Sequence, residues 1–135
     1  MRGYFIDTWY LIALADPSDS HHHQAKRLDV TVAGIPLITH DAVLTELLTY
    51  FAAGGRNSRS KAVAFALDLL QRSDCRVERG SDLFTAALSL YSQRLDKEYS
   101  FVDCMSMALM RQHGITHALT NDHHFRQEGF TVVSE

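Results

Sequence analysis

The sequence predicts an α/β fold, a three-layer α/β/α sandwich around a central parallel sheet of about five short strands. Three observations predict it. Short β-favouring runs alternate along the whole chain with helix-patterned stretches, mostly of ten or more residues, and strands separated by helices pair in parallel through right-handed crossovers. One helical stretch, residues 101–113, is apolar nearly all round, as a helix buried in the core must be. The composition is that of a chain able to bury a core: 135 residues, 46% hydrophobic, with 13 Lys+Arg against 16 Asp+Glu and a formal charge of −3. One globular domain over residues 1–135 follows, without repeat, linker or low-complexity tract, and a disordered polyelectrolyte is excluded.

Each element has a local cause. Residues 3–6 (Gly-Tyr-Phe-Ile) are a β-favouring run ended by Asp7, and 9–15 continue as an apolar helical stretch stopped before Pro17. Ser20 is placed to cap a second helix that starts at His21-His22-His23 and runs to about Val32, with Gly34 ending it. Residues 36–39 form the next strand. Apolar residues crowd 41–53 (Val43, Leu44, Leu47, Leu48, Phe51), a helix that Gly54-Gly55 terminates. Residues 56–60 read as a polar loop, 61–70 as a helix and 75–78 as a strand. A helix over 83–95 is capped by Ser81 or Asp82, and the helix over 101–113 follows Ser100 and closes at Gly114. Strands at 116–120 and 131–133 flank a short helical turn at 124–127.

Several function classes fall away. The apolar start is not that of a secretory signal, because Asp7 lies inside it and no small-x-small cleavage pattern precedes the turn cluster at 16–20. No run approaches the roughly 18 apolar residues of a membrane span. Cys75 and Cys104, 29 positions apart, form no Cys-x-x-Cys metal site and fit reduced thiols of a cytoplasmic protein. The acidic balance disfavours a nucleic-acid coat built on excess Lys and Arg.

Four acids stand in apolar surroundings: Asp7, Glu46, Asp103 and Asp122. Asp7 and Asp122 each end a strand and precede a helix, so either can serve as an N-cap, and Asp103 sits three after Ser100 in a capping-box arrangement. Glu46, in mid-helix beside Leu47 and Leu48, has no such role. Ligands of open parallel sheets bind beyond the carboxyl ends of the strands, where Asp7 and Asp122 lie, and the buried helix over 101–113 can aim its first turn at the same edge. Converging carboxylates without Lys or Arg neighbours repel one another unless a cation joins them. All-oxygen ligands favour Mg²⁺ or Mn²⁺ over Zn²⁺, and such an ion supports phosphodiester hydrolysis by water, without a covalent intermediate.

On these residues the sequence resembles the PIN-domain family, and within it the VapC-like toxins of bacterial toxin-antitoxin systems. Four blocks carry the resemblance across essentially the whole chain: Phe5-Ile6-Asp7-Thr8; Thr45-Glu46-Leu47-Leu48; Phe101-Val102-Asp103-Cys104 with Ser106 and Ala108; and Thr120-Asn121-Asp122-His123-His124-Phe125. The resemblance implies a Mg²⁺- or Mn²⁺-dependent endoribonuclease whose acidic quartet is Asp7, Glu46, Asp103 and Asp122. Thr8 and Thr120 or Asn121 then orient carboxylates or a metal-bound water. It also implies an antitoxin partner, a homodimer and a cytoplasmic, membrane-free setting. A stand-alone RNA-processing nuclease and a silent protein-binding module share the same pattern.

Weaker features complete the expectations. Consecutive helical residues point about 100° apart, so the His21-His22-His23 triplet reads as a solvated or partner-facing helix start rather than one ion site. His123 and His124 read as surface histidines, with His123 able to touch substrate phosphate, and Arg56, Arg59 and Lys61 as a basic cluster for an RNA backbone or simply a solvated loop. An aspartyl-phosphate phosphatase would need a second Asp where Trp9 stands, and a receiver domain would need paired acids and a late Lys. With the quartet set aside as a metal site, 13 positive charges face 16 − 4 = 12 negative ones. Net charge therefore does not exclude RNA.

Overall fold

The computed structural model describes residues 3–135. Its elements are β1 (Tyr4–Ile6), α1 (Thr8–Ala15), α2 (His22–Thr31), β2 (Leu37–His40), α3 (Asp41–Tyr50), α4 (Gly55–Gln71), β3 (Cys75–Glu78), a 3₁₀ turn (Gly80–Leu83), α5 (Phe84–Gln93), α6 (Phe101–His113), β4 (His117–Leu119), α7 (His124–Gln127) and β5 (Thr131–Val133). The sheet is five-stranded in the order β3-β2-β1-β4-β5, with every neighbouring pair parallel. Helices enclose it as an α/β/α sandwich.

The order places the site. From β1 the chain builds outward through β2 to β3, then returns to lay β4 on the other side of β1. β1 and β4 thus form the switch point, where loops diverge and leave a crevice beyond the strand ends. Asp7 follows β1 directly, and Thr120 follows β4. Register ties them: Ile6 pairs with Leu119, so the next residues on both strands leave the sheet at the same level.

Apolar patterning accounts for the core. Phe5, Ile6, Ile38, Ala118 and Leu119 from the central strands are buried, and α6 buries every residue from Cys104 to Met110. That holds the first turn of α6, where Asp103 sits, against the body of the protein. Gly3 lies just ahead of β1 rather than in it, at a place where a Cβ would stand 2.5 Å from the Pro36 carbonyl oxygen. Only glycine allows that approach.

Five local expectations are corrected. Residues 56–60 are not a loop but the exposed first turns of α4. They need no apolar spacing because nothing lies beneath them to bury, and Arg59 donates to the Ala52 carbonyl at 3.1 Å, closing the turn from α3. α3 ends at Tyr50 and not at 53. α5 runs only over Phe84–Gln93, and neither Ser81 nor Asp82 caps it; instead the Asp41 carboxylate accepts the Gly80 backbone N–H at 2.8 Å from a distant element. Ser20 does not cap α2, since it is Asp19 that accepts the His21 N–H at 2.8 Å. The histidine triplet is not simply solvated: His22 Nδ1 lies 2.8 Å from the Ala13 carbonyl and the His21 ring packs on Trp9, while His23 is exposed. No helix of the described residues is long and apolar enough to cross a membrane.

Candidate active site

Asp7 is the anchor of the crevice. It occupies the N-cap position of α1, yet its side chain makes no cap hydrogen bond, which removes the capping explanation. The side chain instead accepts from the Thr120 hydroxyl at 2.7 Å, in a residue only 8% exposed. Burial pushes the Asp7 carboxyl up to about 7. The Thr120 hydroxyl and the Thr8 backbone N–H pull the other way, and the charges of Asp103 and Asp122 push it further up. A carboxylate placed like this is costly to ionise without a cation.

Asp103 is held by its own helix. The Ser100 hydroxyl accepts the Asp103 N–H and the Asp103 carboxylate accepts the Ser100 N–H, both at 3.0 Å, so the capping box is real. The box does not use up the carboxylate, whose Oδ2 also lies 3.3 Å from His124 Nδ1. Its carboxyl is raised by burial first, then by the Asp122 charge against the restraint of Ser100 and His124. Asp122 follows β4; its N–H donates to the Thr120 hydroxyl at 3.1 Å, and its carboxylate accepts the His124 N–H at 2.9 Å. Thr120 therefore braces Asp7 and Asp122 together, whereas Asn121 is exposed. Glu46, partly buried on α3, accepts from the Thr8 hydroxyl at 2.5 Å. Thr8 thus links the fourth acid to the end of β1.

The structure brings Asp7, Asp103 and Asp122 within electrostatic reach of one another and sets Glu46 on the wall beside Thr8. Among the described residues no Lys or Arg pairs with any of these four acids; the cation-forming neighbours are histidines. Arg56, Arg59 and Lys61 lie exposed on α4, outside the acid cluster. The donor set fits a hard divalent ion: several carboxylate oxygens, one deeply buried and without a charged partner, lined by hydroxyls.

A family model, the PIN domain, matches residues 4–130. The chain belongs to the PIN-domain family. It is 33% identical over 130 residues to the 23S rRNA-specific endonuclease VapC20 of Mycobacterium tuberculosis, covering 96% of both chains. The crystal structure of that protein, described as a sarcin-ricin loop cleaving toxin, superposes with a TM-score of 0.87 over 98% of this chain and 100% of the other. More distant structures share the fold: VapBC2 of Rickettsia felis bound to a promoter DNA fragment (TM-score 0.65, 10% identity, 96% of each chain) and FitAcB of Neisseria gonorrhoeae (0.64, 16%, 96% and 95%).

The structure places two histidines differently from what the sequence suggested. His124 is no surface histidine: its side chain is 17% exposed, with Nδ1 3.3 Å from Asp103 Oδ2 and 3.1 Å from Asp122 Oδ1. His123 is exposed, as expected. His40, at the end of β2, is fully buried; its Nε2 lies 2.9 Å from the Ser106 hydroxyl and its Nδ1 has no partner. The one available signal was a polar pair, Thr39-His40, closing a short strand, which in sequence looks like any other strand end.

Proposed function

We propose that this PIN-domain chain is a Mg²⁺- or Mn²⁺-dependent endoribonuclease and the toxin of a toxin-antitoxin pair, with Asp7, Glu46, Asp103 and Asp122 holding the ion. The buried Asp7 carboxylate carries this reading, since it faces two more acids and has only neutral partners, the Thr120 hydroxyl and the Thr8 N–H. When bound, such an ion acidifies a water and offsets charge on the scissile phosphate. The chain's own residues do the positioning. Thr120 orients Asp7, Thr8 orients Glu46, and the Ser100 box fixes Asp103, so the oxygen ligands are aimed before any ion arrives. Arg56, Arg59, Lys61 and His123 are exposed at the surface, where they can meet an RNA backbone.

The relatives' name, a 23S rRNA-specific endonuclease, supports structured ribosomal RNA as the substrate class, and with it a cytoplasmic setting. Two exposed apolar faces support protein partners. The hollow between α3 and α4, about 390 Å³ and lined by Leu48, Thr49, Arg59 and Val63, suits an antitoxin segment. On α5, Phe84, Leu88 and Tyr91 are exposed at 4-3 spacing, and residues 84–93 include no charged side chain. A second copy can pack there without burying a charge, which supports a homodimer.

The deciding experiment is cleavage of ribosomal RNA in Mg²⁺ or Mn²⁺ by wild type, Asp7→Asn and Asp103→Asn. Activity in the wild type alone is expected; equal activity in all three would sink the nuclease. Expression alone and with the upstream neighbour separates a toxin from a stand-alone nuclease: growth arrest relieved by co-expression is expected. Leu88→Glu is expected to yield monomer in light scattering where wild type is dimeric.

A further inference from the structure

We propose that Asp122, His123 and His124, completed by Asp103, form a tetrahedral site for a borderline-soft divalent ion of the Zn²⁺ class, overlapping the hard-cation site. Ligand atoms of Asp122, His123 and His124 all lie within 4.8 Å of one another. The separations are 3.1 Å from His124 Nδ1 to Asp122 Oδ1, 3.3 Å from His124 Nδ1 to Asp103 Oδ2 and 3.9 Å from His123 Nδ1 to Asp122 Oδ1. Bonds of about 2.0–2.2 Å in tetrahedral geometry place ligand atoms roughly 3.3–3.6 Å apart. The three edges bracket that distance; Asp103 is not part of the three-residue cluster and meets it at His124 Nδ1, so its carboxylate must swing further in to complete the site.

The local fold explains why these residues converge. Asp122 precedes the helix, outside its regular spacing, and it folds back on the helix start, where His123 is the N-cap and His124 the first residue. The Asp122 carboxylate accepts the His124 N–H at 2.9 Å, a turn that folds the imidazole back over the carboxylate, and the His123 ring lies 4.5 Å from the His124 ring. Asp103 arrives from α6, held by Ser100, and the Tyr99 ring packs against His124 at 5.5 Å. Two imidazoles and two carboxylates are a donor set that Zn²⁺ takes readily and Mg²⁺ does not.

The overlap has a consequence for activity. Asp103 and Asp122 serve both sites, so a Zn²⁺-class ion at the histidines withdraws two carboxylates from the Mg²⁺ or Mn²⁺ site and inhibits cleavage. That inhibition rests on the nuclease reading; the binding site itself does not.

The test uses the full chain freed of metal, titrated with Co²⁺ and then Zn²⁺. Intense visible bands of tetrahedral Co²⁺ are expected at one ion per chain, bleached by Zn²⁺. His123→Ala and His124→Ala each are expected to weaken binding about tenfold or more. Replacing His21, His22 and His23 together by Ala should leave the bands in place. His123 is exposed, so its variant folds even where His124→Ala does not. Pale octahedral Co²⁺, or unchanged affinity in His123→Ala, overturns the site. Tetrahedral Co²⁺ in a chain that cleaves no RNA keeps this site and sinks the nuclease. RNA cleavage in Mg²⁺ that Zn²⁺ fails to inhibit at saturating occupancy overturns the overlap.

Discussion

Two buried carboxylates in this molecule have opposite surroundings. Glu128, with a side chain 4% exposed, accepts from Arg94 at 2.7 and 3.1 Å, from Arg111 at 2.5 Å and from the Tyr99 hydroxyl at 3.1 Å. Burial alone would raise its carboxyl, but these donors together hold it down at about 2. Asp7, the more deeply enclosed of the two, has only the Thr120 hydroxyl and the Thr8 N–H beside two neighbouring acids, and its carboxyl rises to about 7. Glu128 is a structural acid, because it joins the segment after α7 to α5 and α6 through satisfied bonds. Asp7 is an acid left incomplete, and an incomplete buried charge marks a place meant for a ligand.

The largest expected effect comes from pH on the metal-free protein. Asp7 is raised from 3.8 to about 7 by the fold. Its contribution is therefore intact below pH 3.8 and is lost as pH rises through 7, a loss of about 4 kcal/mol in all. Melting temperature from pH 5 to 8 should fall in wild type and fall less in Asp7→Asn, so the variant is the more stable of the two at pH 8. Mg²⁺ or Mn²⁺ should close that gap by stabilising wild type. Lower stability of Asp7→Asn at pH 8 would return Asp7 to a structural role and erase the contrast with Glu128.

His40 extends the contrast to a base. Burial lowers its imidazole to about 4, with only partial opposition from the Asp41 charge; its ring meets Ser106 from α6 and Phe5 from β1. Its folded value lies below the ordinary 6.5, so its contribution is complete above pH 6.5 and lost as pH falls toward 4, about 3 kcal/mol. Denaturant midpoints for wild type and His40→Asn should converge across that window.

Glu128→Ala strands two guanidinium groups and a phenol. Both arginines are partly exposed, so the expected loss is about 1–2 kcal/mol by chemical denaturation, independent of divalent ions. A metal-dependent loss would blur the distinction between the two acids. The smallest effect is that of Thr120→Val, about 1 kcal/mol, with the Asp7 carboxyl moving further up because its hydrogen bond to the charged form is gone. An NMR titration of Asp7 in the variant reads that shift.

Much of this was legible from residues alone. The four acids stood out because each sits in an apolar context, and the Ser100–Asp103 box was readable from its spacing. The helical start of α4 was not, since polar residues 56–60 form a solvated helix face that carries no apolar period. The cap on the turn at Gly80 comes from Asp41, 39 positions away, and no local pattern announces such a bond. His124 was hidden for the same reason: its partner Asp103 reaches it from another helix.

The sequence by itself determined the alternation of strands and helices, the buried character of α6 and the identity of the acids, because apolar spacing and turn residues act over a few positions. Only the tertiary structure decided that Asp7 lacks a cationic partner while Glu128 has two, and that His124 stands between two of the acids. Burial and charge proximity depend on which distant segments the β1–β4 switch point brings together.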